Sequence, residues 1–280
     1  MKALHVNWTK PSVHGGTEYY TEDFDILTTV LSALKWREKN GTIKMVTDST
    51  GLDYYKSRDM LSLWDETDTS LDDMPHSINP DVFWAAGKLY AAKTNGVPFA
   101  MIDTDFIVWD RIAFNNIEDL AVIHDEELSE DIYPNIHYFK MKYGYIFDPN
   151  LDWREKPFNT AFYIMKSPEL LNEYTSQAFS FMENTDGDDY LRYMVFAEQR
   201  LLAMTARKMN SKVKILSDLE RLFKDGENYF THIWGMKQQM RDIEQLRYDF
   251  CRKCVKRIKR DFPEYIDMLK RIRETEKYLR

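Results

Sequence analysis

The stretch Val97–Asp105, with the sequence VPFAMIDTD, decides which fold this chain of 280 residues can adopt. Its first six residues, Val97–Ile102, are a continuous apolar run, which is typical of a central strand buried on both faces of a parallel sheet. Two carboxylates, Asp103 and Asp105, follow this strand directly. Ligands of open α/β sheets bind beyond the carboxyl ends of the strands, so the pair lies where a binding site is expected.

The residues before this stretch predict two more strands with a helix between them. Ala3–Trp8 and Ile43–Val46 are short runs of the kind that forms strands. The helix is indicated by apolar residues at helical spacing that stop before Asn40-Gly41, namely Phe24, Leu27, Val30, Leu31 and Leu34. The polar segment Thr47–Gly51 then predicts a turn.

A second helix is expected to lead into Val97–Ile102. We expect Asn79-Pro80 to cap it and Asn95-Gly96 to end it. The order strand, helix, strand, helix, strand predicts an α/β fold with a mostly parallel sheet and crossover helices. Beyond it, strands are predicted at Leu120–Ile123, Phe158–Met165 and Lys212–Leu216, and helices from Ser167-Pro168 and from Asp188 to Lys208.

Composition excludes several classes of protein. Hydrophobic residues make up 44% of the chain, enough to bury a core, so extensive disorder is excluded. The longest apolar runs fall far short of the roughly 18 residues that a membrane span needs. The first eleven residues lack the apolar core of a signal peptide, and two cysteines are too few for a disulfide scaffold. We therefore expect a cytoplasmic protein.

Charge is spread unevenly along the chain. The net charge of −8 argues against nucleic-acid binding. Residues 241–280 nevertheless carry 13 Lys and Arg against 8 Asp and Glu, a net +5, which leaves −13 for the first 240 residues. We expect one domain over residues 1–240 and a basic helical extension over residues 241–280.

The basic extension carries an apolar stripe formed at helical spacing by Cys251, Cys254, Val255 and Ile258. Six basic residues surround the stripe: Arg252, Lys253, Lys256, Arg257, Lys259 and Arg260. Two interpretations are open. The helix either packs on the body and leaves its basic face in solvent, or it contacts the inner face of an anionic membrane.

The pair Asp103 and Asp105 is a weak signal by itself, because acidic pairs on loops are common. Two carboxylates at the end of a strand can jointly hold a divalent cation, which can in turn bridge the oxygens of a diphosphate. The alternative is a solvated loop without an ion. Motifs elsewhere in the chain favour the first interpretation.

Four more short motifs occur in a suggestive order: Lys88-Leu-Tyr90-Ala, Asn159-Thr-Ala161-Phe, Glu198-Gln199 and His232-Ile-Trp-Gly235-Met-Lys237. Together with Asp103-Thr104-Asp105 they resemble the nucleotide-sugar glycosyltransferases of the GT-A fold, particularly the glycogenin and lipopolysaccharide galactosyltransferase type. The resemblance covers roughly residues 3–237. This chain departs from the family pattern at Ala161, which replaces Gly, at Glu198, which replaces Asp, and at Lys237, which falls one residue early.

The resemblance implies a Rossmann-like fold and a metal-dependent glycosyltransferase. Asp103, Asp105 and His232 would bind Mn²⁺ or Mg²⁺, and the imidazole would favour Mn²⁺. Lys237 would stabilise the departing nucleoside diphosphate, and Lys88 would contact the donor. For His232 the alternative is an ordinary hydrogen-bonded histidine, and for Lys88 it is a lysine on the protein surface.

The resemblance also assigns residues to the donor. Those expected at the nucleotide or its sugar are Val6, Asn7, Trp8, Thr9, Asp48, Thr104, Asn159 and Gly235, and a UDP-sugar is the expected donor. Glu198 and Gln199 would lie beside the anomeric carbon, where the resembling families retain configuration, and the alternative for Glu198 is a glutamate on a helix surface. The sequence itself does not decide between retention and inversion. Asp188 is either a base for the acceptor hydroxyl or part of the cap of the next helix.

The function that follows is a hexosyltransferase that acts on a saccharide or lipid-linked acceptor in surface polysaccharide or lipopolysaccharide synthesis. Two other classes are open. A phosphohydrolase of the haloacid-dehalogenase type also carries Asp-x-Asp after a strand, but its motif normally lies near the chain start and does not continue as Phe106-Ile107 does here. The other is a nucleotide- or sugar-binding module without turnover.

Overall fold

Seven strands form a central sheet in which one strand, β7, runs against the other six. The computed structural model describes residues 1–13, 17–224 and 229–279, with residues 223 and 224 described by their backbone alone. The strand order is β3-β2-β1-β4-β7-β6-β8, and β5 and β9 pair antiparallel in a separate ribbon. The strands are β1 (Ala3–Asn7), β2 (Ile43–Thr47), β3 (Glu66–Asp68), β4 (Phe99–Ile102), β5 (Phe106–Val108), β6 (Leu120–Val122), β7 (Phe162–Met165), β8 (Val213–Ile215) and β9 (Phe230–His232).

Helices cover both faces of the sheet. They are α1 (Asp23–Lys39), α2 (Ser49–Ser57), α3 (Ala86–Asn95), α4 (Pro168–Glu183), α5 (Tyr190–Val195), α6 (Leu201–Lys208), α7 (Leu219–Lys224), α8 (Lys237–Asp242), α9 (Glu244–Asp261), α10 (Ile266–Arg271) and α11 (Arg273–Glu276). The α/β architecture with a mostly parallel sheet confirms the prediction from the order of the elements.

Alternate residues of β4 enter two different core layers. Ala100 and Ile102 pack with α1 and α9, whereas Phe99 and Met101 pack with α3, α4 and α6. All four side chains are at most 1% exposed. A strand with helices on both faces has no polar side, which explains the continuous apolar run.

Helix α1 follows its apolar pattern and ends where the sequence predicts. Asn40 caps it, and Gly41 turns the chain with a φ of +130°, a conformation that favours glycine. A Cβ on Gly41 would also lie 2.7 Å from the backbone oxygen of Met1. The close turn brings β2 directly beside β1.

Two local predictions before β4 are wrong. Thr47–Gly51 does not form a simple turn, because the Asp48 carboxylate accepts a hydrogen bond from the Gly51 N–H at 2.8 Å and begins α2. The helix expected from Asn79-Pro80 begins only at Ala86. The Asn79 side chain accepts from the Asp81 N–H at 3.0 Å, so it stabilises a local turn.

The C-terminal helices pack against α1. The apolar stripe of α9 is buried, which confirms that this face of the helix lies on the body. Asp23, only 2% exposed, anchors the segment by accepting hydrogen bonds from Arg247 at 2.7 Å and from the Tyr278 hydroxyl at 2.5 Å. The domain boundary expected at residue 240 stays a prediction. No helix in the described parts of the chain is long and apolar enough to span a membrane.

Candidate active site

Asp103, Asp105 and His232 meet at the carboxyl edge of the sheet. The two aspartates follow β4, and His232 ends β9, where the pairing of β5 with β9 sets it opposite Phe106. One potential ligand atom from each residue lies within 4.8 Å of the other two. Among the residues described, this group can hold a metal ion.

The donor atoms fit a divalent cation. His232 Nε2 and Asp105 Oδ1 are 3.8 Å apart, too far for a hydrogen bond. Two ligands on opposite sides of one ion, each at about 2.1 Å, would be about 4.2 Å apart, so this pair can share an ion. Burial lowers the pKa of His232, although Asp105 opposes the shift, and the neutral imidazole is the form that binds metals.

Lys88 reaches this group from α3. Its Nζ lies 2.7 Å from Asp103 Oδ1 and 2.5 Å from Glu198 Oε1, and it donates to the Thr160 carbonyl at 3.0 Å. Burial would lower the pKa of Lys88, but the two carboxylates raise it above its usual range. The surface-lysine interpretation is wrong, because the side chain is only 12% exposed.

The preceding residue, Gly87, brings α3 close enough for Lys88 to reach the carboxylates. A Cβ at this position would lie 2.7 Å from the Cβ of Trp8 at the end of β1. Any larger residue would therefore push α3 away from the sheet edge.

Lys237 approaches from the opposite side, at the start of α8. Its Nζ lies 2.9 Å from Asp105 Oδ2 and 3.0 Å from Asp25 Oδ1. Burial would lower the pKa of Lys237, but both carboxylates raise it. The sequence did not single out Asp25, because acidic residues are common in the first turn of a helix, where they interact favourably with the helix dipole.

The site carries an excess of negative charge. Four carboxylates, those of Asp25, Asp103, Asp105 and Glu198, face the two ammonium groups of Lys88 and Lys237, which leaves −2 if all are ionised. Burial raises the pKa of Asp103 although Lys88 opposes it. Burial would also raise that of Asp105, but Lys237 and His232 hold it below its usual range. A divalent cation would balance this charge.

Glu198 and Gln199 lie in a π-helical segment, Phe196–Arg200, which interrupts the helix between α5 and α6. Such bulges frequently mark functional sites. The Glu198 side chain, 5% exposed, points to Lys88, whereas the Gln199 amide oxygen accepts from the Tyr133 hydroxyl at 2.5 Å. The structure thus places the Glu198 carboxylate next to Lys88, whereas the Gln199 side chain is bonded to Tyr133 instead.

Asn159 supports the loop next to Asp103. Its Oδ1 accepts from the Ala161 N–H at 3.1 Å, and the Ala161 carbonyl accepts from the Asp103 N–H at 2.8 Å. The Asn159 amide also donates to Glu126 at 2.8 Å. The sequence did not identify Glu126 or Tyr133, because both lie in a long segment with little regular structure.

A cavity of about 270 Å³ adjoins the metal-ligating group. It is lined by side chains that include Asn7, Ser12, Tyr19, Asp25, Thr104 and Lys237. Within the described residues, the amide nitrogen of Asn7 is buried and has no hydrogen-bond partner. Asn7, Thr104 and Lys237 thus line one cavity, and Gly235 lies in the turn just before Lys237; their contact with a donor stays a prediction.

The other expected nucleotide residues at this edge have structural contacts. Asp48 accepts hydrogen bonds from the N–H and hydroxyl of Thr9, each at 2.8 Å, and Trp8 is buried against α3. Val6 is half-buried in the same layer. Their contact with a nucleotide stays a prediction.

Asp188 lies in the loop before α5, where the cap is formed by its neighbour Asp189. The Asp189 carboxylate accepts from the N–H groups of Leu191 and Arg192 at 3.1 and 3.0 Å. The cap that the sequence offered as one role of Asp188 is thus formed by Asp189, and a role for Asp188 as a base is untested.

A chain of buried hydrogen bonds leads from Trp64 through His5 and Ser32 to β5. The Trp64 indole N–H donates to His5 Nδ1 at 3.1 Å, so His5 carries its proton on Nε2, which lies 2.9 Å from the Ser32 hydroxyl. Ser32 donates in turn to the Phe106 carbonyl at 2.5 Å. Phe106 follows Asp105 and pairs with His232, so this relay fixes the strand that positions two potential ligands.

A larger open cleft of about 690 Å³ lies away from this group, between β8 and the end of α6. Its basic side chains already pair with carboxylates: Arg154 with Asp152 at 3.0 Å and Lys156 with Glu127 at 2.5 Å. We assign no ligand to it.

Comparison with models of known protein families shows which family the chain belongs to. A family model described as "Family of unknown function (DUF6734)" matches residues 1–272. The chain belongs to DUF6734. The family's description assigns no activity, and no curated protein matches the sequence.

Two solved structures resemble this DUF6734 chain at low sequence identity. One, PaToxG Glycosyltransferase, is 9% identical and has a TM-score of 0.44 over 74% of this chain and 69% of its own. The other, mouse xyloside xylosyltransferase 1 in its apo form, is 10% identical and has a TM-score of 0.45 over 83% of this chain and 97% of its own. Both are glycosyltransferases, but a likeness this distant assigns no activity, so function has to be argued from the site.

Proposed function

We propose that this protein is a metal-dependent glycosyltransferase that moves a sugar from a nucleotide-sugar donor to a saccharide or lipid-linked acceptor. The observation that carries the proposal is the grouping of Asp103, Asp105 and His232 at the carboxyl edge of the sheet, with the half-buried Lys88 and Lys237 paired to the two aspartates. A site with excess negative charge and two half-buried ammonium groups suits a divalent cation that is bound together with a diphosphate.

The residues divide into two groups around that ion. Asp103, Asp105 and His232 would hold Mn²⁺ or Mg²⁺, which when bound offsets the negative charge that develops on the departing diphosphate. Lys237, held by Asp25 and Asp105, adds a fixed positive charge on the side of the cavity. The cavity lined by Asn7 and Thr104 accommodates the nucleoside part of the donor.

Lys88 and Glu198 lie on the other side of the two aspartates, where the sugar of the donor would be. Lys88 holds the Glu198 carboxylate in place, so Glu198 can orient the sugar or stabilise positive charge at its anomeric carbon. Gln199, Asn159 and Asp188 complete the proposed sugar and acceptor side. Retention of configuration and hexosyl transfer belong to the proposal.

The donor, the acceptor and the location complete the proposal. We favour a UDP-sugar, Mn²⁺ and an acceptor of surface polysaccharide or lipopolysaccharide synthesis in the cytoplasm. On α9 the structure pairs Arg257 and Arg260 with Asp261, while Lys253, Lys256 and Lys259 are exposed. Contact of these lysines with an anionic membrane stays a prediction.

The proposal is tested by turnover of the donor. The purified protein is incubated with UDP-glucose, UDP-galactose, UDP-xylose, UDP-N-acetylglucosamine or GDP-mannose, each with Mn²⁺ and with EDTA. We expect release of nucleoside diphosphate from at least one UDP-sugar, because water can replace the acceptor, and no release with EDTA. Absence of release from every donor, or release that persists in EDTA, would contradict the proposal.

Removing the Ser32 hydroxyl should weaken the metal site without touching a ligand. In Ser32→Ala the Phe106 carbonyl loses its buried hydrogen-bond donor, so the position of β5 is less well fixed. Mn²⁺ affinity should then fall about tenfold or more, the usual effect of losing a group that orients metal ligands. Electron paramagnetic resonance of free Mn²⁺ measures the affinity.

Thr175→Ala is the matched control for this variant. It also removes a buried hydroxyl, but one that bonds to the Leu171 carbonyl of its own helix α4. Equal Mn²⁺ affinity in the two variants would show that the relay does not position the ligands.

A further inference from the structure

Two aromatic side chains, Trp84 and Tyr190, project from the protein beside the candidate active site. Trp84 is 46% exposed and Tyr190 is 62% exposed. Tyr138 and Leu191, each 40% exposed, belong to the same region, since the Tyr138 hydroxyl donates to Asp189 at 2.6 Å. Contiguous exposed aromatic surface on a protein commonly marks a binding site.

A ladder of contacts connects this aromatic pair to Glu198. The segment before and within the first turn of α3 runs beside the helix that begins at Tyr190, and contacts recur at every fourth residue of that helix. They are Trp84 Nε1 to the Tyr190 carbonyl (3.2 Å), Ala85 N to Met194 Sδ (3.3 Å) and Lys88 Nζ to Glu198 Oε1 (2.5 Å).

Exposure falls steeply along the ladder. Tyr190 is 62% exposed and the Glu198 side chain 5% exposed, so the ladder descends from the surface to the floor of the site. At a rise of about 1.5 Å per residue, the eight steps from Tyr190 to Glu198 span about 12 Å. A ligand that touches both ends must therefore be longer than one sugar ring.

We propose that Trp84 and Tyr190 form a platform for a neutral oligosaccharide acceptor; this inference rests on the proposed glycosyltransferase function. The Trp84 indole N–H is already bonded to the Tyr190 carbonyl, so the indole has a fixed edge and offers its face. A pyranose ring has an apolar C–H face that packs on an aromatic face, while its hydroxyls stay in water.

Charge around the platform argues for a neutral ligand. Asp186, Asp188 and Asp189 directly precede Tyr190, and Arg192 is already paired with Asp189 at 2.6 Å. Lys140 and Lys142, on the segment that bonds to Asn184 and Asp186, offset the other two carboxylates, so the region has no net charge that would hold an acidic saccharide. A lipid tail would place its apolar surface next to these carboxylates at a desolvation cost, which a sugar with outward hydroxyls avoids.

The platform is tested by saturation-transfer NMR titration of maltotetraose, cellotetraose, xylotetraose and chitotetraose on the protein without donor. We expect at least one to bind, and binding to weaken about tenfold or more in Trp84→Ala and Tyr190→Ala, the size expected for an aromatic anchor. Tyr190→Phe should bind as the wild type does, because stacking needs the ring and not the hydroxyl. Tyr248→Ala, which removes a 41% exposed ring from α9, is the control.

The outcomes separate this inference from the proposed function. Binding that is equal in Trp84→Ala and wild type, or no binding of any of the four oligosaccharides, would overturn the platform. Mn²⁺-dependent binding of UDP is measured on the same variants and should be unchanged, because both residues lie outside the cavity lined by Asn7 and Lys237. If the wild-type protein does not bind UDP, the proposed donor site is wrong, but the oligosaccharide platform is not affected.

Discussion

Asp105→Asn should abolish donor turnover while the protein stays folded. Asp105 is the one residue of the metal group that forms an ion pair with Lys237, so the substitution removes both a ligand charge and a partner of the half-buried ammonium group. We expect the rate of nucleoside diphosphate release to fall by at least about 1000-fold, because the substitution removes electrostatic stabilisation of the leaving group.

The folded state of Asp105→Asn should survive because Lys237 keeps its contact with Asp25 at 3.0 Å. The matched control is Asp110→Asn, an exposed aspartate two residues after β5 whose carboxylate, within the described residues, accepts a hydrogen bond only from the adjacent Arg111 N–H. It should retain wild-type turnover. If Asp105→Asn keeps more than a tenth of wild-type turnover at saturating Mn²⁺, the assignment of Asp105 as a ligand is wrong.

Lys88→Met should destabilise the protein more than any surface substitution. The change leaves Asp103 and Glu198 facing each other without a cation, and removing one partner of a buried ion pair costs about 3 to 5 kcal/mol. Urea unfolding at pH 7 measures the loss. Lys93→Met, at an exposed position of the same helix, should cost at most about 0.5 kcal/mol.

The destabilisation by Lys88→Met should depend on pH in a defined direction. Burial already raises the pKa of Asp103 in the wild type, and Lys88→Met removes the positive charge that opposes this shift. A carboxyl group whose folded pKa exceeds its unfolded value, about 4, binds a proton more readily in the folded state. Because the pKa of Asp103 is already raised to about 7 in the wild type, the additional loss of stability in Lys88→Met should grow as the pH rises through 7 and shrink as the pH falls below it.

A second substitution checks the cause of this loss. Lys88→Met/Glu198→Gln removes one of the two unpaired carboxylates and should recover part of the stability at pH 7. A loss for Lys88→Met that is no larger than that for Lys93→Met, or that grows at low pH, would show that Lys88 does not neutralise the two carboxylates.

The sheet could be predicted from the sequence because its strands carry a signal that depends only on burial. A strand between two helix layers has no polar face, and β4 shows this as an unbroken apolar run. The direction of β7 could not be predicted, because an antiparallel central strand is equally apolar. The start of α2 was missed because Asp48 and Gly51 are typical of turns as well as of helix caps.

The potential metal ligands were predicted correctly as a spatial group, since two of them follow one strand and the third belongs to a motif of the resembling family. Their supports could not be predicted. His5, Ser32 and Trp64 are ordinary residues of a strand, a helix and a loop, and they meet only because the fold brings those elements together. The pairing of Asp25 with Lys237 likewise joins residues more than 200 positions apart.

The central claim is that this site binds a nucleoside diphosphate through a divalent cation, and calorimetric titration of UDP tests it most directly. The wild-type protein is titrated with UDP in the presence of Mn²⁺, in EDTA, and with GDP in place of UDP. We predict binding of UDP that requires Mn²⁺, is weaker for GDP and is lost in Asp105→Asn. Absence of UDP binding in Mn²⁺, or binding that is equally strong in EDTA, would contradict the account.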